Sequence, residues 1–197
     1  MHQNGETGAL GTGARRMEDW LEKNGILLCN QNPWLPALED IGCTWQDAME
    51  LIDEHRIFYS KSFKKRTAYL SPQAYWLLKS LRGQKPGAEK PLPASAGAVC
   101  ALLGECPGAD AALLKSLWQG PAKEFRTGLN FLLENLLATA SGSSRRLGEN
   151  WSELRYTLAE DWETLCPGTP GTERPQERLW ALTGGIMTEK QFAAWIR

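Results

Sequence analysis

The stretch Thr44 to Leu81, T-W-Q-D-A-M-E-L-I-D-E-H-R-I-F-Y-S-K-S-F-K-K-R-T-A-Y-L-S-P-Q-A-Y-W-L-L-K-S-L, decides how the chain is read. Thr44 is an N-cap with Asp47 three residues on, and Trp45, Ala48, Met49 and Ile52 recur at i, i+3, i+4 and i+7, one face of a helix that ends near His55. The period then changes. Ile57 to Phe63 and Thr67 to Leu70 are rich in aromatic and β-branched residues and predict two strands joined through Lys64, Lys65 and Arg66. Ser71 followed by Pro72 starts another helix, with its apolar face supplied by Tyr75 to Leu81 before Gly83.

Upstream, Arg15 to Asn24 predicts a short helix with Trp20 and Leu21 inward, ended by Gly25. Ile26 to Cys29 reads as a brief strand, and after the N-Q-N-P turn Trp34 to Asp40 supplies one or two helical turns. Residues 1–16 are rich in Gly and polar types and are expected to be a disordered leader, with Met17 an alternative start of translation. Downstream, Gly83 to Pro93, G-Q-K-P-G-A-E-K-P-L-P, has no apolar period and reads as a linker.

Past the linker, Ser95 caps a helix with Ala96, Val99, Cys100 and Leu103 on one side, and Asp110 caps another with Leu113, Leu114, Leu117 and Trp118 clustered on one face. Gly120-Pro121 opens a longer helix in which Phe125, Leu129, Leu132, Leu133 and Leu136 form the inner row. Its opposite stripe is Lys123, Arg126, Thr127, Asn130 and Glu134. Leu137 to Ala140 then predicts a strand, S-G-S-S-R-R-L-G-E-N a basic turn, and Leu154 to Leu158 the return strand.

Three helices followed by a hairpin, as in this second half, is the winged-helix order, a helix-turn-helix variant, and the halves share a pattern-level repeat, a capped helix ahead of a hairpin with a basic tip. The predicted fold is therefore mainly α with small β-hairpins (α+β), in tandem winged-helix modules over 17–82 and 94–197, each with its own core. A tail from Pro175 to Arg197 is expected to pack back on the second module through Leu179, Trp180, Phe192, Trp195 and Ile196.

Composition narrows the functions available. The 197-residue chain has a formal net charge of −1, so anion binding must come from local patches. Five cysteines without a C-x-x-C pair read as spectator thiols of a reducing, bacterial-type cytoplasm. No apolar run is long enough to cross a bilayer and no signal peptide opens the chain.

Cation-rich hairpin tips can neutralise phosphates, each contact releasing condensed counterions. Lys61, Lys64, Lys65 and Arg66 form the densest cluster, and Arg145 and Arg146 mark the second tip. In the second module Lys123, Arg126, Thr127 and Asn130 are types that donate to phosphates or base edges. The corresponding helix of the first module instead turns Asp47, Glu50, Asp53 and Glu54 outward, which repels phosphate and suits a protein partner.

Of the nine tryptophans, most fall on apolar stripes and read as core, with Trp34 and Trp151 in irregular polar context. His2 and His55 are too few for a metal centre or a Ser-His-Asp arrangement, and E-D-W-E around Asp161 reads as a solvated helix face. G-E-C-P-G and C-P-G-T-P-G lack the spacing of a phosphate loop. No cofactor and no metal site is expected.

Two stretches carry a family resemblance. Arg56 to Leu81, R-I-F-Y-S-K-S-F-K-K-R-T-A-Y-L-S-P-Q-A-Y-W-L-L-K-S-L, and Leu147 to Leu165, L-G-E-N-W-S-E-L-R-Y-T-L-A-E-D-W-E-T-L, resemble segments of proteins related to the AlkZ/YcaQ DNA crosslink-repair glycosylases. The resemblance implies a tandem winged-helix fold used on duplex DNA, and in catalytic members hydrolysis of an N-glycosidic bond with a Q-x-Q or Q-x-D motif positioning water. Neither spelling occurs here; the nearest text is Asn30-Gln31-Asn32, which makes Gln31 the catalytic candidate. The expected function is a noncatalytic winged-helix protein that binds nucleic acid, with double-stranded DNA as its partner. A glycosylase-like enzyme and a protein-association module are the alternatives.

Overall fold

A computed structural model describes residues 10–83, 91–148, 151–166 and 173–197, with the backbone alone described at 145–148 and 151–152. Helix α1 (Thr12–Asn24) begins ahead of Met17, and Ala14 is fully buried, so the latter part of the expected leader belongs to the fold. The reason lies in long-range packing that composition does not record. A side chain at Gly13 would meet the Asp47 carboxylate at 2.1 Å, and the Gly11 N–H donates to Glu50 at 2.7 Å. Residues 1–9 and most of the expected linker, 84–90, lie outside the described residues.

The first half continues with β1 (Ile26–Leu28), a 3-10 turn (Leu38–Ile41), α2 (Trp45–Asp53), β2 (Phe58–Phe63), β3 (Arg66–Leu70) and α3 (Pro72–Gly83). Thr44 and Asp47 form the capping box that the spacing predicted. The second half is α4 (Ala94–Glu105), β4 (Ala109–Asp110), α5 (Ala111–Leu117), α6 (Ala122–Glu134), β5 (Ala138–Gly148), β6 (Trp151–Leu158) and α7 (Ala159–Leu165), with α8 (Pro175–Thr183) and α9 (Glu189–Trp195) as the tail. The chain is thus mixed α+β. Its two antiparallel sheets have the orders β1-β3-β2 and β4-β6-β5, so the halves repeat one strand arrangement.

The two hydrophobic cores do not follow the division at 83–93. One joins Met17, Leu21, Leu51 and Ile52 to Phe125, Leu129, Leu133 and Ala140. The other joins Phe58, Tyr75 and Leu78 to Trp162, Leu179 and Trp195. The Phe58 and Tyr75 rings stack at 4.1 Å with Trp162 edge-on at 5.0 Å to Phe58, which binds α7 to the first half. Likewise α8 packs on α3, so the tail closes against the first half and not, as expected, the second. Periodicity shows that a helix has an apolar face but not which neighbour covers it.

Two polar contacts and one close helix approach seal this arrangement. Strands β2 and β5 lie side by side where the buried Thr139 hydroxyl accepts the Tyr59 N–H and donates to the Tyr59 carbonyl, each at 3.0 Å. At Gly128 helices α4 and α6 approach so closely that a Cβ would sit 2.4 Å from the Ser95 carbonyl oxygen. Arg82, at the end of α3, donates to the carbonyls of Ser62, Glu134 and Trp195 at 3.1, 2.8 and 2.8 Å, joining β2, α6 and α9.

Candidate nucleic-acid interface

The β2–β3 hairpin is built to project cations. Ser60 pairs with Ala68 and Phe63 with Arg66, so two residues of β2, Lys61 and Ser62, oppose one of β3. Such a bulge re-aims side chains. Ser62 turns inward, where its hydroxyl accepts the Trp195 indole N–H at 3.3 Å, and Lys61 leans onto α6, donating to Asn130 at 2.7 Å. Partial burial there lowers the Lys61 ammonium below its usual range.

At the tip, Lys64 and Lys65 form a two-residue loop with φ of 49° and 59°. Left-handed values at both positions are the geometry of a type I′ turn, which Asn-Gly fills most easily. Lysine there costs about 1 kcal/mol per residue. Lys64, Lys65 and Arg66 are all exposed. Lys65 is 3.6 Å from Glu134, and Lys64 and Arg66 lie over the Trp34 ring at 5.0 and 5.7 Å from its centroid.

Helix α6 extends this surface. Lys123, Arg126 and Thr127 are exposed on its first turns, Asn130 and Glu134 follow at helical spacing, and the latter two touch Lys61 and Lys65. The Thr127 hydroxyl donates to the Lys123 carbonyl at 2.9 Å. One strip therefore runs from Lys123 along α6, about 16 Å at 1.5 Å per residue, and on through the hairpin tip to Trp34. Both halves of the chain contribute to it.

The backbones of Arg145 and Arg146 are in strand and not at a tip. Both lie within β5, their backbones in register with Glu153 and Ser152 of β6; their side chains fall outside the described residues. β5 leaves Thr139 toward α2, where Asp53 accepts the Ser143 N–H at 2.8 Å, whereas β2 leaves Tyr59 toward α6. The two hairpins thus run in opposite directions from their shared contact.

The acidic face expected on α2 is largely consumed within the molecule. Asp47 caps its own helix, Glu50 holds Gly11 and Asp53 holds Ser143. Of the carboxylates around Asp161, Glu163 accepts bonds from the Tyr75 hydroxyl and the Lys79 ammonium, and Asp161 accepts the Thr157 hydroxyl at 2.8 Å, so this face is not merely solvated. On α5 only Leu114 of the predicted leucine cluster is buried; Leu113 and Leu117 are 48% and 45% exposed.

Gln31 is exposed on the rim of a cleft of about 90 Å³ lined also by Leu28, Asn30, Asn32, Pro33, Trp34, Arg66 and Thr67. Its floor is fixed by Asn32, whose carboxamide oxygen accepts the Trp34 and Leu35 N–H groups at 2.8 and 2.9 Å, and by Gln191, which donates to the Trp34 carbonyl. The sequence reading missed the meeting of this loop with Lys64 and Arg66. Nothing local signals it, because the pairing of β1 with β3 brings the two segments together.

Among the described residues no group of three His, Cys, Asp or Glu side chains is placed to hold a metal, and no helix is long and apolar enough to cross a membrane. Comparison of the chain with family models, curated proteins and solved structures gave no match.

Proposed function

We propose that this chain is a noncatalytic nucleic-acid-binding protein made of two winged-helix modules, and that duplex DNA is its partner. The helix-strand-helix-helix-hairpin order and the shared strand order of the two sheets support the winged-helix reading. In that reading α6 and the β2–β3 hairpin, from different modules, form one DNA-binding face.

The observation that carries the proposal is the set of cations Lys123 and Arg126 on α6 with Lys61, Lys64, Lys65 and Arg66 on the hairpin, joined through Asn130 and Glu134, in which five of the six cations are exposed. A chain of net charge −1 retains duplex DNA only where cations are concentrated in this way. At about 3.4 Å per base pair, the α6 part of the strip spans roughly five base pairs. Exchanging Lys123 and Arg126 for Glu should abolish retardation of a labelled duplex in an electrophoretic shift. Unchanged retardation would refute the assignment of α6 to the DNA.

For the glycosylase alternative, Gln31 would orient a water at the cleft, yet the cleft lining is amide, aliphatic, aromatic, hydroxyl and guanidinium, with no carboxylate to serve as base. Base release from an alkylated duplex would establish that reading instead. Protein association is favoured by a different surface from the acidic one expected, the exposed Leu113 and Leu117 of α5.

A further inference from the structure

We infer that the cleft beside Trp34 is a subsite for one unpaired nucleotide, so that the protein prefers a duplex carrying a single-stranded overhang to a blunt one. The inference rests on the DNA-binding reading and adds to it where along the strip the duplex ends.

The cleft combines the parts that single-strand binding uses, an aromatic platform beside cations. Trp34 is half-buried and held rigid by the Asn32 turn, by Pro33 and by Gln191, so little ordering is needed when a base stacks on it. Lys64 and Arg66 now cover its ring, and both are exposed on long side chains able to swing onto a phosphate. A cation over an aromatic ring at an exposed site contributes about two- to fivefold to an equilibrium constant. The two such contacts over Trp34 are together worth about five- to thirtyfold and stacking of a base on an aromatic side chain about five- to hundredfold, so the exchange is favourable once the freed cations also gain a phosphate.

The carboxamides of Asn30 and Gln31 and the Thr67 hydroxyl supply donors and acceptors on the rim for a base edge. At about 90 Å³ the cleft is too small for a dinucleotide cofactor and admits the edge of one ring or one phosphate. Its position is equally specific: a duplex lying along α6 and over the Lys64–Lys65 tip meets Trp34 at the end of the strip.

The experiment is fluorescence anisotropy of the full chain with three labelled duplexes of one sequence, one blunt and two carrying a short single-stranded overhang of either polarity. The wild-type chain should bind one overhang polarity about tenfold more tightly than the blunt duplex. Trp34→Ala should reduce that ratio to twofold or less, and Trp34→Phe should restore most of it. The ratio within one variant is insensitive to a general loss of folded protein. Equal binding of all duplexes by the wild-type chain, or a Trp34→Ala variant that keeps the ratio, overturns this inference while leaving the DNA-binding reading standing. Absence of binding to every duplex overturns both. A free deoxynucleoside monophosphate that erases the ratio at the concentration of the DNA would show a small-nucleotide site and overturn the strand-end assignment.

Discussion

Replacing Arg82 by Met should destabilise the fold by about 3 kcal/mol. The guanidinium makes three charge-assisted bonds, to the carbonyls of Ser62, Glu134 and Trp195, each worth about 1.5 to 3 kcal/mol, or roughly 4 to 9 in total. Against this stands the cost of burying the charge, which lowers the guanidinium from its usual range to about 10 and opposes the charged form by about 3 kcal/mol. Methionine keeps the apolar stem and leaves three carbonyls without their donor, two of them on the buried residues Ser62 and Trp195. In a chain of this size the loss corresponds to a melting point lower by about 6 to 12 °C. Urea unfolding followed by tryptophan fluorescence and by far-ultraviolet circular dichroism measures it. Because both cores are shared between the halves, the two signals should coincide in one transition for the wild-type chain. A loss under about 1 kcal/mol, or separate transitions for two modules, would refute the account of Arg82 as a joint between them.

Thr139→Val keeps the shape of the buried side chain and removes the hydroxyl that satisfies both backbone groups of Tyr59; about 2 kcal/mol should be lost in the same urea assay, while Thr139→Ser should retain most of it. All four tyrosines, Tyr59, Tyr69, Tyr75 and Tyr156, are raised above the ordinary phenol value of 10, first of all by burial. Since the folded values lie above the unfolded ones, this contribution to stability is complete below pH 10 and is lost as the pH rises beyond it, by up to about 5 kcal/mol per pH unit if all four ionise on unfolding. The lowered values of Lys61 and Arg82 act in the opposite sense and offset part of the loss. Phenolate absorbance should therefore stay flat through pH 10 and rise together with loss of circular dichroism; a phenol titrating ahead of unfolding would contradict the burial described.

Capping chemistry and strand pairing made much of the fold legible. Thr44 with Asp47, Asp110 with Leu113 and the Ser71-Pro72 start all mark helices where the structure has them. The apolar row Phe125, Leu129, Leu132 and Leu133 is buried as its spacing requires. What escaped depends on partners distant in sequence. The run S-G-S-S-R-R has low strand propensity, yet pairing with β6 makes it strand and moves Arg145 and Arg146 off the turn. On α5 the core covers Leu114 and leaves Leu113 and Leu117 exposed, so the predicted leucine cluster splits.

The candidate site was legible as a set of cations and not as a surface. Lys61, Lys64, Lys65, Arg66, Lys123 and Arg126 were identifiable one by one. That α6 of one half lies against the hairpin of the other, with Asn130 and Glu134 as the points of contact, follows from the interleaved cores alone. On α2, Asp47, Glu50 and Asp53 accept hydrogen bonds from Thr44, Gly11 and Ser143, while Asp53 and Glu54 stay exposed.

The most direct test of the central claim is the dependence of duplex affinity on salt, measured by anisotropy between about 50 and 200 mM for the wild-type chain and for Lys64→Gln, Lys65→Gln and Arg66→Gln combined. With about five exposed cations on phosphates the slope of log K against log salt should be roughly −4 to −5, and removing three should flatten it by about 2 to 3. A variant that remains folded by circular dichroism and binds the duplex with the wild-type slope would contradict the account.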